Sequence, residues 1–526
     1  MALSNGSILV SFVIAGQTLP RKTTSDVNQV SGKSFDYIIV GGGTAGCPLA
    51  ATLSEKFSVL LVERGGSPYE NPLIMENKNY GLSLVQTDEY TSVAQSFVSK
   101  DGVSMLYLYH SNLRGRVLGG GSAINGGFFS RASDDYVKRV GWNKQMVSDA
   151  YKWVESRNAF KPKLTPWQYV AELSFLEAGI FPYNGFSLDH IKGTKIGATT
   201  FDEQGRRHTS ADLLTAGNPN SITLLLNATV TSIIFHEKGS RYETIVRGIR
   251  FIKSDGSSSQ THEAYLNTQN NSRSSTGDVI LAAGALGSPQ ILLLSGIGPQ
   301  KHLNKFNIPV AVNLKSVGKG MTDNPCIALL AEIADAKPKN FPPDSPKVTV
   351  IADDFKLVIQ ALILPISFNA TIMPIVGKLA FPESEGELEL NSTDPRKNPS
   401  VTFNYLAKEK DMAECVKLGR LLEKIVRSKS IAYFLGIEGK RRNKSMSTDD
   451  ELRKLCKNNV RTFYHYHGGC TMGSVVDKNY RVFGIDGLRV IDGSTFLESP
   501  GTNPMATLLM LGRYQGIKIL QERENA

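Results

Sequence analysis

Phe35-Asp36-Tyr37-Ile38-Ile39-Val40-Gly41-Gly42-Gly43-Thr44-Ala45-Gly46 is where the chain first commits to an architecture. Phe35 to Val40 is a β-branched and aromatic run, which predicts a buried strand. Gly41, Gly43 and Gly46 make a GxGxxG turn. Residues 47–56 then predict a helix, and residues 58–62 a second strand ending at Glu63. Gly41 suits a tight turn, Gly43 lets backbone approach a pyrophosphate, and Gly46 lets helix and strand pack closely. The helix N-terminus offers free N–H groups to phosphates. Glu63 lies where a carboxylate accepts hydrogen bonds from ribose hydroxyls. Its charge would repel a 2′-phosphate, so an unphosphorylated adenosine is expected. A Gly-rich turn with no ligand is the plain alternative, but strand, helix, strand and acid stand in register.

Working outward, 526 residues make about three or four domain-sized masses. With 41% hydrophobic and 21% charged residues, the chain can bury a large core. Its 48 Gly and 23 Pro are not gathered into one tract, which excludes dominant disorder. Collagen, coiled-coil and solenoid periods are absent. The net charge of +10 raises the question of an anionic partner. The basic residues are scattered, however, and the cluster at 440–444 is isolated, so no nucleic acid is expected. Five cysteines include no CxxC, and their odd count allows one or two disulfides and a spare thiol.

Residues 8–16 (ILVSFVIAG) resemble a signal-peptide core, although no Lys or Arg precedes them. Residues 357–377 are also apolar, but Gln360, Pro365, Asn369 and Pro374 predict a buried segment, not a membrane anchor. Sequons at Asn227, Asn270, Asn369, Asn391 and Asn443 add weak support for secretion. A secreted or endomembrane location is expected, with the cytoplasm as the alternative.

Rival motifs fail. Gly32-Lys33-Ser34 ends like a P-loop, but Val27 stands where its first Gly belongs. His262-Glu263 lacks the second His of HExxH, and no GxSxG occurs. His465 and His467 have no third ligand at a recognisable spacing, so no metal is expected.

Further segments sharpen the reading. Residues 112–127 (NLRGRVLGGGSAINGG) let backbone pass close to a flat ligand. Residues 278–285 (DVILAAGA) predict another strand, followed by GALGSPQILLLSGIG at 284–298. Then come GKGMTDNP at 318–325, YHYHGGCTMG at 464–473, LRVIDGS at 488–494 and GTNP at 501–504. Over residues 34–522 the chain resembles the glucose–methanol–choline family of FAD-dependent oxidoreductases. It is most similar to that family's plant branch of (R)-mandelonitrile lyases and HOTHEAD-like proteins.

The resemblance implies an α/β and α+β fold: a Rossmann-type FAD-binding domain interleaved with a substrate domain on an antiparallel sheet. It places the FAD domain at 34–132, 200–310 and 455–526, and the substrate domain at 133–199 and 311–454. Residues 1–33 remain as a signal segment and N-terminal arm. It implies that FAD is held by Gly41, Gly43, Thr44, Ala45, Gly46, Glu63, Arg64, Gly119, Gly120, Ser122, Asn125, Val230, Ala283, Gly284, Asp492, Gly493, Asn503 and Pro504. Some members attach the flavin through a His; here Ile124 lies just before Asn125, where that His would stand, so the link is expected to be non-covalent. The same resemblance makes His465 the catalytic base and Asn503 its partner, and puts Tyr464 and His465 against the substrate. The substrate is a small alcohol or a cyanohydrin, and the protein is expected to be a monomer. A mandelonitrile lyase has a second His at Asn503, Tyr at Phe463 and Trp at Tyr464. The loss of that His and of the Tyr hydroxyl favours alcohol oxidation over cyanohydrin cleavage. The branch also implies a Cys415–Cys456 disulfide joining two helices, with Cys47, Cys326 and Cys470 left free.

Overall fold

The computed structural model describes residues 18–85, 87–88, 90–97, 99–101, 112–237, 244–267, 277–331, 341–438 and 448–525. The apolar run 8–16, the basic cluster 440–444 and the sequons at Asn270 and Asn443 lie outside the described residues. Along the chain, β1 (Lys22–Thr24) precedes β2 (Tyr37–Val40), helix α1 (Gly46–Leu53) and β3 (Val59–Val62). Next come β4 (Tyr183–Phe186), β5 (Gly193–Ile196), β6 (Ile222–Leu225), β7 (Val279–Leu281) and helix α2 (Gly284–Leu294). Then follow β8 (Pro325–Leu330), β9 (Val348–Ala352), β10 (Leu357–Ala361), β11 (Pro374–Leu379), α3 (Glu409–Val426) and α4 (Asp449–Asn459). The chain closes with β12 (Arg461–Thr462), β13 (Leu488–Val490) and α5 (Met505–Glu524).

Six strands form a parallel sheet in the order β1-β6-β3-β2-β7-β13. Ile38 and Val40 enter one hydrophobic core while Tyr37 and Ile39 enter another. Both faces are therefore covered, which is why these strands read as unbroken apolar runs. β1 falls within the expected N-terminal arm, yet it extends this sheet at its edge. The expected strand from Phe35 to Val40 is in fact two. Asp36 turns aside to accept hydrogen bonds from Ser58 N (2.8 Å) and Ser58 Oγ (2.7 Å). Phe35 then pairs with Leu266 at the edge of a second, largely antiparallel sheet. Helix α5 lies against α1: a Cβ on Gly512 would stand 2.2 Å from Ala45 O, and one on Gly516 2.7 Å from the Thr52 side chain. Hydrogen alone fits at both places.

The third large sheet runs β12-β8-β11-β10-β9-β5-β4, antiparallel except for β5–β4. Residues 357–377 supply its β10 and most of β11, with a separate two-stranded hairpin between them. This parallel sheet beside an antiparallel one is the expected fold class. Cys415 in α3 is bonded to Cys456 in α4, and Cys47, Cys326 and Cys470 are buried and free. Residue 455, taken as a domain boundary, lies inside α4. Among the described residues no helix is long and apolar enough to cross a membrane.

Candidate functional site

β2 leads by way of α1 to β3 on one side, while β7 lies on its other side. A crevice opens at such a switch point, at the C-terminal ends of the strands. The glycines there have little room. A Cβ on Gly41 (φ +109°) would stand 2.5 Å from Ala282 O, and one on Gly46 2.0 Å from Gly41 O. The second glycine-rich loop comes back to meet the first: a Cβ on Gly120 would stand 2.8 Å from Gly43 Cα.

One cavity of about 460 Å³ runs from this crevice to the HYHGGC segment. Its nucleotide end is lined by Gly41, Gly43, Thr44, Ala45, Glu63, Arg64, Gly120 and Val230. Further along stand Asn125, Ala283, Gly284, Asp492, Gly493, Asn503 and Pro504, and then Tyr464 and His465. Three of the expected cofactor contacts do not line it. Gly46 packs the helix on the turn, Gly119 N donates to Gly42 O (2.7 Å), and Ser122 Oγ donates to Gly119 O (2.6 Å). These residues hold the loops from behind the cavity wall.

Glu63 is also more engaged than expected. Its Oε2 accepts from Gly42 N (2.9 Å) and its Oε1 from Gly65 N (2.8 Å). Burial pushes its pKa up against these bonds and against the Arg64 charge. Asp492 ties its own turn to the start of α2, accepting from Gly284 N and Ser288 Oγ with one oxygen and from Ser494 with the other. Sequence reasoning missed Arg207, which is buried and donates to Ile74 O, Ser122 O and Asn125 Oδ1, fixing the second loop.

At the far end the His465 ring is held through Nδ1. Asn324 Nδ2 donates to Leu379 O (2.8 Å) and Ala380 O (3.0 Å), which turns Asn324 Oδ1 toward the ring. Nδ1 lies 3.0 Å from that oxygen, which accepts from it in the tautomer protonated at Nδ1. In that tautomer Nε2 keeps its lone pair, and Nε2 has no protein partner among the described residues. Buried Lys378 donates to Asn324 Oδ1 (3.0 Å) and Thr502 O (2.9 Å), and its Nζ stands 3.2 Å from His465 Nδ1. Burial, then the Lys378 charge, holds the His465 pKa well below the usual value. Burial likewise lowers Lys378 to about 7. Asp323, pushed up to about 6 by burial, accepts from His465 N (2.9 Å) and Tyr405 OH (2.7 Å). Phe463 lies against His465 with ring centroids 4.9 Å apart.

Tyr464 sits at φ +62°, in the left-handed region that strains a residue with a Cβ, and is 44% exposed along the cavity. Asn503 lines the cavity opposite, with its Oδ1 buried and unpaired among the described residues. His467 lies behind the wall, its Nδ1 donating to His465 O at 2.9 Å. The free Cys326 and Arg461, whose Nη1 is unpaired among the described residues, line the same end. Asn324 was visible only as part of the GKGMTDNP segment. Lys378 had a signal of its own, a single charge in the apolar strand PIVGKL.

A long, glycine-walled cavity with unpaired groups at both ends, Arg114 Nη2 and Asn503 Oδ1, fits an extended dinucleotide with a flat ring. Two family models described as GMC oxidoreductase match residues 35–326 and 382–512. Protein HOTHEAD and an (R)-mandelonitrile lyase-like protein, both of Arabidopsis thaliana, are 41% and 42% identical. Each comparison covers 93% of this chain, and 89% and 90% of those proteins. The sinapyl alcohol oxidase Nec3 of Nesocodon mauritianus is 40% identical over 93% of this chain and 89% of its own. A crystal structure of formate oxidase superposes with a TM-score of 0.74 at 19% identity, covering 94% of this chain and 100% of that one, a likeness of fold.

Proposed function

Because the chain belongs to the GMC oxidoreductase family, we propose that it binds FAD without a covalent link and oxidises a small alcohol. FAD, when bound, is the group that accepts the hydride. The glycine loops and the α1 N-terminus cradle its diphosphate, with Glu63 at the ribose. His465 Nε2 takes the hydroxyl proton, and Asn503 donates a hydrogen bond to the substrate oxygen. One observation supports this reading: Asn324 Oδ1, held 3.0 Å from His465 Nδ1, suits the tautomer in which the basic nitrogen is the unpartnered Nε2. The three described sequon residues, Asn227, Asn369 and Asn391, are exposed, and the Cys415–Cys456 bridge suits an oxidising compartment. Both features support a secreted or endomembrane location.

The second reading is an (R)-hydroxynitrile lyase, favoured by the 42% identity to the mandelonitrile lyase-like protein. Phe463 and Asn503 weigh against it, because a lyase of that branch has Tyr and His there. Anaerobic addition of a benzylic alcohol separates the two. Bleaching of the flavin absorbance is expected. Benzaldehyde released from (R)-mandelonitrile, with no bleaching by the alcohol, would replace the first reading with the second.

A further inference from the structure

The nucleotide end of the cavity carries a positive charge that the protein leaves unmatched. Arg64 and Arg114 both line it. Arg64 follows Glu63 at the end of β3, and Arg114 comes from a separate two-stranded ribbon, Asn112–Gly115 paired with Ala94–Phe97. Their guanidinium groups share one acceptor. Arg64 Nη1 donates to Gln95 Oε1 at 2.8 Å, and Arg114 Nε donates to the same oxygen at 3.2 Å. Gln95 is buried, and its own amide donates to Arg396 O at 3.0 Å. Arg64 Nη2 donates on to Gly115 O at 3.2 Å, whereas Arg114 Nη2 is buried and unpaired among the described residues.

No carboxylate is free to serve the pair. Glu63 already accepts from Gly42 N and Gly65 N, and Asp88 is matched by Arg116 at 3.0 Å. The charges that act on Arg114 are those of Arg64 and Arg116, both of its own sign; with burial they push its pKa well below the usual value. Arg396 makes the contrast. Its Nη1 is also buried and unpaired, but Arg396 has Asp394 at 3.0 Å and does not line the cavity. A buried charge without a counter-ion is costly, and an anion in the cavity would complete this corner.

The place of Arg114 selects the anion. A Cβ on the next residue, Gly115, would stand 2.8 Å from Gly120 C, and Gly120 in turn lies against Gly43. Arg114 is thus one residue from the crossing of the two glycine loops beside the α1 N-terminus, where backbone can approach a diphosphate.

We infer that Arg114 is a cofactor-binding residue whose guanidinium pairs with the diphosphate of FAD. The inference rests on the FAD reading above. The backbone N–H groups of the glycine loops supply direction, and Arg114 supplies the charge that they lack.

The test follows binding, not turnover. The full chain is loaded with FAD, its Kd is read from flavin fluorescence on dilution, and FAD is displaced by excess ADP or by excess adenosine. Arg114→Met, and independently Arg114→Gln, should raise the Kd for FAD and the ADP concentration needed for displacement about 10- to 100-fold, the scale of a hydrogen bond to a charged group. The adenosine concentration needed should stay level with that of FAD, rising no further than the weaker FAD binding itself lowers it. Circular dichroism should show both variants folded. Unchanged FAD and ADP affinities, an affinity for adenosine that falls as far as that for ADP, or failure of both variants to fold would each overturn the proposal. Wild-type protein that takes up no FAD would instead fail the FAD reading itself, and the proposal with it.

Discussion

His465 and Lys378 form an uncommon pair: a base whose neighbour is a buried cation without a carboxylate in hydrogen-bond reach. The Lys378 charge disfavours a second charge on the imidazole, so His465 stays neutral and ready to accept a proton well into mildly acid solution. His465→Ala should lose about 10²–10⁴-fold in turnover while keeping the flavin spectrum. His467→Ala should cost far less, because that ring lies outside the cavity and only braces the His465 carbonyl. Steady-state rates with flavin-normalised enzyme check both. Lys378→Met removes the repelling charge, so the His465 pKa should rise. The acid limb of the kcat/KM profile should then move to higher pH, and an unmoved limb would separate Lys378 from the titrating group. His465 could be picked out of the chain because its segment resembles a family's. Asn324 could not, since its partners are backbone carbonyls that only folding brings near.

Helices and strands were most legible where one element met one environment. Residues 47–56 and 58–62 predict α1 and β3 nearly to their ends, because each is buried along its whole length. Phe35 was misread because its strand propensity is real but its partner is a different sheet. The α3–α4 pair carries its own test. The Cys415–Cys456 bridge closes a separation of 41 residues, worth about 4 kcal/mol in the chain-entropy model. Cys415→Ser should therefore lower the melting temperature while leaving FAD bound, since neither cysteine lines the cavity. Thermal unfolding followed by flavin fluorescence, beside non-reducing peptide mapping, reads both parts.

The whole molecule brings residues from opposite ends of the chain to one cavity: Gly41 to Glu63 at one end, Tyr464 to Asn503 at the other. The position before Asn125 carries Ile124, which offers no nucleophile to a flavin. Denaturation should release all of the yellow colour, and flavin retained on the precipitated chain would contradict a non-covalent site. Local chemistry was enough to read the nucleotide turn. Gly41, Gly43, Gly46 and Glu63 work through backbone conformation and spacing over some twenty residues, and both are written in sequence order. Resemblance added the HYHGGC and GTNP segments and the disulfide. The cation beside His465 and the amide facing its Nδ1 depend on strand register and burial. Register and burial arise from pairings between residues tens to hundreds of positions apart, and no short stretch of the chain contains both partners.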